Sequence, residues 1–244
     1  PYTYEMLFRL RFTKMALPNL RTMTQAGGRL SVERHRYFAE HARQAGRRFV
    51  VMYGQTEATA RMAYLDPDRA LEKCGSIGRA IPGGRFELIA ADGGIVQEDG
   101  VEGELVYRGR NVALGYAESW RDLARGDDFG GVLATGDIAV RDRDGVYAIV
   151  GRKKRFLKVF GERVNLDELE ELLMRQYPGV ELACTGVDDD LRIYVTDDAL
   201  IAPVPAFLVE QTGISRNAVS VAWLPEIPRN DAGKVRYSAL LQDA

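Results

Sequence analysis

The sequence predicts an α/β fold joined to a smaller α+β part, and three successive textures along its 244 residues carry that reading. The first stretch pairs one amphipathic helix with one buried strand. The second breaks into short alternating runs separated by glycine turns, and the third, from about residue 153, mixes a leucine-striped helix with further strands. These textures divide the chain at 1–70, 71–152 and 153–244.

Over residues 31–46, Val32, Phe38, Ala39, Ala42 and Ala45 fall near helical spacing. Ser31 stands as N-cap and Gly46 as stop. The run RFVVMYG that follows is short, apolar and β-branched, so it is expected to be a buried strand opening into a loop at Gly54. After Asp66 the runs RFELIA, GELVYRG, DIAVRD and VYAIVG alternate, with PGG, ADGG and DRDG between them. That pattern predicts a small antiparallel, barrel-like unit.

The charged segment GRKKRFLK then leads into a hairpin-like stretch and a helix over 166–176. Asn165 with Glu168 makes its capping-box-like start, and Leu166, Leu169, Leu172 and Leu173 form its stripe. Beyond it, ELACTGV, LRIYV and VSVAW are strand candidates and 206–211 a helix candidate, before the closing PEIPRNDAGKVRYSALL.

Composition narrows the function. Apolar residues make up 46% and charged residues 28%, as in ordinary folded protein. Lys and Arg total 33 against 35 Asp and Glu, a net charge of -2, which argues against a nucleic-acid partner. Two cysteines, Cys74 and Cys184, suggest neither a disulfide framework nor a zinc site, and a cytoplasmic setting is expected. No run reaches the roughly 18 apolar residues of a membrane span. The chain opens on Pro1 with what resembles mid-domain sequence, so a truncated chain is expected.

Several segments combine residues able to do chemistry. The loop YGQTEAT, residues 53–59, sets a hydroxyl beside a carboxylate at the end of a buried strand, where open α/β sheets carry ligands. A carboxylate there can hold Mg²⁺ and the hydroxyl can meet a phosphate oxygen; an exposed polar turn is the plainer alternative. TGD, residues 135–137, is expected as a turn between two strands, with a carboxylate suited to ribose hydroxyls. The run RKKR, residues 152–155, is expected to be solvated linker, and Lys234 in PRNDAGK lies on a loop of turn residues.

Taken in order, YGQTEAT, GELVYRGRNVALGYA, LATGD, GRKKRFLKVFGERVNLDELE and PRNDAGK resemble the adenylate-forming, AMP-binding superfamily of acyl-CoA synthetases, adenylation domains and luciferases. The stretch LRTMTQAGGRLS resembles that family's adenine-contacting segment. The resemblance implies an AMP-forming acid–thiol ligase, such as a fatty-acid-type acyl-CoA synthetase. Such an enzyme uses ATP and Mg²⁺ to turn a small carboxylic acid into acyl-AMP, then passes the acyl group to CoA or to carrier-protein pantetheine.

By motif, Thr56 is expected at the α-phosphate and Glu57 at Mg²⁺. Asp137, with Arg152, is expected at the ribose, and Gly27 and Gly28 along the adenine with Tyr53 stacking nearby. Lys234 matches the lysine that bridges carboxylate and phosphate in the first half-reaction. Lys154 matches the hinge about which a small mobile C-terminal domain rotates. In the second half-reaction KVFGERV would replace Lys234, with Gly161 leaving room for pantetheine and Arg163 near phosphate.

On this reading 1–70 is the tail of the large domain's α/β subdomain, 71–152 its barrel-like subdomain and 153–244 the mobile domain. Three departures stand beside it. The family's Ser/Thr/Gly-rich phosphate loop is missing, so the isolated chain is expected to be inactive. Asn230 replaces a common Thr, and the last domain looks short. A ligase loading an acyl carrier protein and a non-catalytic nucleotide-binding module remain the alternatives.

Overall fold

The computed structural model describes residues 1–230 and 233–240. The chain divides into two compact units, Pro1–Val150 and Gly151–Ala244.

In the first unit, helix α1 (Tyr2–Arg9) precedes β1 (Thr22–Gln25), α2 (Val32–Gln44) and β2 (Arg48–Tyr53). The start and stop of α2 follow from its caps. Ser31 Oγ accepts from the Arg34 N–H at 3.2 Å. At the other end Gly46 takes φ 63°, while the Arg47 N–H bonds the Ala42 carbonyl and the Gly46 N–H bonds that of Arg43. That pair of bonds is a Schellman stop, which needs a residue at ease with positive φ. The helix buries Phe38, Ala39 and Ala42 against Tyr4, Met23, Phe49 and Val51.

Strands β1 and β2 are parallel, in register from Thr22↔Arg48 to Gln25↔Val51. Two short antiparallel strands, β3 (Ala63–Tyr64) and β4 (Arg79–Ala80), complete the sheet in the order β1-β2-β3-β4. A second sheet holds β5 (Gly84–Ile89), β6 (Gly103–Gly109), β7 (Val132–Arg141) and β8 (Tyr147–Arg152) in that order. The expected barrel-like unit is thus an open four-stranded sheet. Its buried face carries Phe86, Leu88, Leu105, Tyr107, Leu133 and Ala139.

The TGD turn expected between two strands is not there: Thr135, Gly136 and Asp137 lie inside the ten-residue strand β7. The pairing passes from Glu104↔Ile138 to Val106↔Ala134, so Thr135, Gly136 and Asp137 together face Leu105 alone, a bulge. Gly136 supplies the φ of 70°. Apolar alternation cannot reveal such a feature, because glycine inside a strand pattern resembles a turn.

The second unit begins with a hairpin, β9 (Phe156–Val159) and β10 (Glu162–Asn165), followed by α3 (Leu166–Gln176). Asn165 Oδ1 caps α3 by accepting from the Asp167 N–H at 3.0 Å. Then come β11 (Leu182–Val187), β12 (Asp190–Val195), α4 (Pro203–Thr212), β13 (Val219–Trp223) and α5 (Tyr237–Leu240). Strands β11 and β12 are antiparallel and β13 runs parallel to β12.

Alternation serves both faces of this sheet. Leu182, Cys184, Leu191, Ile193 and Val195 pack with Leu166, Leu169, Leu173, Val204 and Leu208. Ala183 and Tyr194 pack on the other side with Ile227 and Leu240. The solvated-linker expectation for RKKR needs one correction. Arg152, Lys153 and Lys154 are exposed, but Arg155 is 7% exposed; its charge is drawn inward by two carboxylates of α3.

Candidate functional site

Parallel pairing of β1 and β2 brings the loops after both strands to one sheet edge. Gly27 and Gly28 follow β1 with φ of 80° and 152°, and Gln25, 2% exposed, ties that turn by donating from Nε2 to the Gly28 carbonyl at 2.6 Å. Beside it, β2 delivers Tyr53 and the turn Thr56–Ala58. Carboxyl-terminal strand edges of open α/β sheets are where ligands settle.

The turn after β2 doubles back tightly. The Ala60 N–H bonds the Gln55 carbonyl at 2.9 Å, and Thr59 and Ala60 both hold positive φ, 56° and 60°. A Cβ at Gly54 would stand 2.5 Å from the Ala60 backbone, so only glycine admits this path. Consecutive left-handed non-glycine residues cost free energy that the surrounding bonds must offset. The turn leaves Thr56 exposed and Glu57 half-buried.

Asp137 comes to the same place from the bulge in β7. Its carboxylate, 2% exposed, accepts from the Tyr53 hydroxyl at 2.5 Å and from Gln55 Nε2 at 3.1 Å. Gln55 also donates to the Thr135 carbonyl at 2.9 Å. The Thr135 hydroxyl stitches the bulge, donating to the Leu105 carbonyl at 2.7 Å and accepting from the Asp137 N–H at 3.1 Å. A buried carboxylate needs such donors, and here they hold it in one orientation.

Glu57 is tied to a third segment. Its Oε1 accepts from the Tyr116 hydroxyl at 2.7 Å, and its carbonyl accepts from the Ala113 N–H at 2.7 Å. Asn111 Nδ2 donates to the carbonyls of Ala58 and Arg61. The Glu57 carboxylate raises the pKa of Tyr116, chiefly through their hydrogen bond.

Among the described residues no group of three or more His, Cys, Asp or Glu side chains gathers to hold a metal. One carboxylate beside a hydroxyl nevertheless fits Mg²⁺, which takes one or two carboxylates and completes its shell with phosphate oxygens and water.

The first unit thus brings together Gly27, Gly28, Tyr53, Thr56, Glu57 and Asp137. Gln55, Tyr116, Asn111 and Thr135 join them. Those four lie within the motif blocks, but nothing in a single sequence distinguishes them from ordinary polar residues.

The other expected site residues belong to the second unit. Arg152 ends β8 and Lys154 lies in the short helical turn Lys153–Arg155, both exposed. Gly161 follows Phe160 at the tip of the β9–β10 hairpin, with φ of 91° after 48°. Two positive φ values mark the turn type that suits strand twist. A Cβ at Gly161 would meet no atom within 4 Å. Arg163 lays its guanidinium 3.7 Å from the Phe156 ring centroid. Lys234 is exposed; Asp231 and Ala232 of its motif lie outside the described residues.

Residues 1–117 match the model of the AMP-binding enzyme family. The chain is 32% identical over 239 residues to the sulfoacetate–CoA ligase of Cupriavidus necator, covering 92% of this chain and 45% of the relative. It is 31% identical over 249 residues to the indoleacetate–CoA ligase of Aromatoleum aromaticum, covering 97% and 47%. The fold matches the o-succinylbenzoate CoA synthetase of Bacillus subtilis, solved with its acyl-adenylate intermediate. That match has a TM-score of 0.74 at 23% identity and covers 97% of this chain and 49% of the other.

The chain belongs to the adenylate-forming, AMP-binding superfamily. It spans about half the length of the relatives it matches.

Proposed function

We propose that this chain serves an ATP-dependent ligase that converts a carboxylic acid to its acyl-adenylate and then to a CoA thioester. The observation that carries the reading is Asp137. A carboxylate buried by a strand bulge and aligned by Tyr53 and Gln55 lies against the loop that presents Thr56 and Glu57.

In this reading Asp137 accepts ribose hydroxyls, because a carboxylate has lone pairs for a vicinal diol and no hydrogen to offer when ionised. Thr56 donates to an α-phosphate oxygen. Glu57 would hold Mg²⁺, whose charge would offset that of the phosphates; Tyr116 keeps the Glu57 carboxylate oriented. Gly27 and Gly28, lacking side chains, let the adenine lie on the backbone, with Tyr53 beside it.

On the second unit Lys234 supplies an ammonium for the acid and phosphate, whose mutual repulsion the chemical step must overcome. Lys154 is the pivot between half-reactions, and the Gly161 turn with Arg163 serves thiol transfer. The open space at Gly161 supports its place beside a pantetheine arm. CoA is favoured as acceptor because the relatives at 31–32% identity are named CoA ligases.

The deciding experiment measures pyrophosphate release and thioester formation by the complete reading frame encoding this chain, across short-chain, aromatic and long-chain acids. Acid-dependent pyrophosphate release is expected. None from any acid would overturn the reading.

A further inference from the structure

Arg155 is the basic residue of the 152–155 run that turns inward, and each of its three guanidinium nitrogens donates a hydrogen bond. Nε donates to Asp167 at 2.8 Å, Nη2 to Glu170 at 2.7 Å and Nη1 to the Cys184 carbonyl at 2.5 Å. The guanidinium plane also rests over the Tyr237 ring, 3.8 Å from its centroid. Glu170, 9% exposed, collects the Cys184 N–H at 2.7 Å and the Tyr237 hydroxyl at 2.9 Å besides Arg155.

Four segments therefore meet here: the turn after Lys154, helix α3, strand β11 and the start of α5. Burying an ion pair adds little stability over apolar side chains of the same volume. What directional bonds add is angle and register, and the segment they orient is the one that follows Lys234.

The described residues on either side of 231–232 are bonded to one another. The Asn230 N–H bonds the Lys234 carbonyl and the Lys234 N–H bonds Asn230 Oδ1, each at 2.9 Å. Arg229 pairs with Val235 in an isolated antiparallel bridge. At its base the Arg236 N–H bonds the Pro228 carbonyl at 2.8 Å. The next side chain along, Tyr237, is the one that enters the buried network.

We propose that Arg155, Glu170 and Tyr237 form a positioning device that ties the Lys234 loop to the turn at Lys153–Arg155, so that the lysine follows that turn as one body. These are positioning residues: they act through Lys234. The catalytic consequence rests on the ligase reading above, whereas the tether itself does not.

The test uses Tyr237→Phe in the complete protein, which keeps the ring beneath Arg155 and removes only the bond to Glu170. Acyl-adenylate formation, read as pyrophosphate release, should fall about tenfold or more in kcat, since small misplacements of a reacting group are costly. KM for ATP and thioester formation from supplied acyl-AMP should stay unchanged. Glu170→Gln, whose amide keeps the side chain's shape and can still bond the tyrosine hydroxyl, should lose less of that rate than Tyr237→Phe does. Amide hydrogen exchange should quicken over residues 229–240 while α3 and β11 keep wild-type protection.

Equal loss of both half-reactions, or wild-type exchange at 229–240, would overturn the device. If the wild-type protein adenylates no acid, the ligase reading falls, and the exchange comparison still decides whether the tether exists.

Discussion

Tyr53 and Asp137, 84 residues apart in sequence, are joined by a 2.5 Å hydrogen bond in which the phenol donates to a buried carboxylate. One of these residues ends a parallel strand and the other occupies a bulge in an antiparallel strand. Their contact couples the two sheets of the first unit.

Asp137→Asn should weaken AMP binding in the complete protein by about 1.5–3 kcal/mol, the range for a hydrogen bond to a charged partner. Tyr53→Phe should cost less, since Gln55 still donates to the same oxygen. Calorimetric titration with AMP checks both; an unchanged affinity in Asp137→Asn would remove the ribose role.

Lys234→Ala should reduce acyl-adenylate formation by about 10²–10³-fold, as for loss of one electrostatic donor in a transition state. Thiol transfer from supplied acyl-AMP should be spared. Lys154→Pro should show the reverse, because fixing φ at a pivot blocks the rotation while leaving the first step. Separate assays of the two steps check the pair.

Gly54→Ala should lower the thermal midpoint by an amount equivalent to about 1–3 kcal/mol, the usual cost of forcing extra atoms into a packed site. The offending contact is with Ala60 backbone, which cannot swing aside as a side chain can. Nucleotide affinity should fall with it, because Thr56 and Glu57 depend on the same turn.

His35 should make the first unit less stable in mild acid. Burial lowers its pKa and the Arg36 charge lowers it further, against the raising effect of the Ala70 backbone carbonyl. Below the ordinary value of 6.5 the unfolded chain takes up a proton that the folded chain refuses, so stability falls as pH drops through that value. His41, partly buried beside Arg47, has the same sign. Urea unfolding between pH 7.5 and 5.5, at roughly matched ionic strength, should show a steeper decline for wild type than for His35→Gln.

Much of this was open to inspection in the amino-acid order, and the exceptions have physical causes. Helix α2 announces itself through Ser31 and Gly46 because capping is local chemistry between residues a few positions apart. The same holds for Asn165 and α3. Strands β6 and β13 coincide with GELVYRG and VSVAW, whose β-branched and aromatic residues favour strands.

The bulge at Thr135–Gly136–Asp137 was hidden because its partner, Leu105, is 30 residues away from Thr135. The burial of Arg155 does not show in RKKR because its partners Asp167 and Glu170 lie 12 and 15 residues further along the chain. In the site, the contiguous YGQTEAT loop could be recognised, whereas Gln55 and Tyr116 acquire meaning only from what they touch. Helix α1, which contributes Tyr4 to the core, carries no cap strong enough to mark its start; its N-cap position, Pro1, makes no side-chain cap bond.

The bulge in β7 spends three residues where β6 spends one, a surplus of two, and that even number has a genetic consequence. Leu133, opposite Tyr107, and Ala139, opposite Gly103, stay on one side of the strand across it. Loss of a single codon between Leu133 and Ala139 would turn everything on one flank inside out, whereas loss of two would restore the side facing while erasing the carboxylate's seat. Length variation here is therefore tolerable for the sheet only in pairs, and under the proposed ribose role of Asp137 not at all.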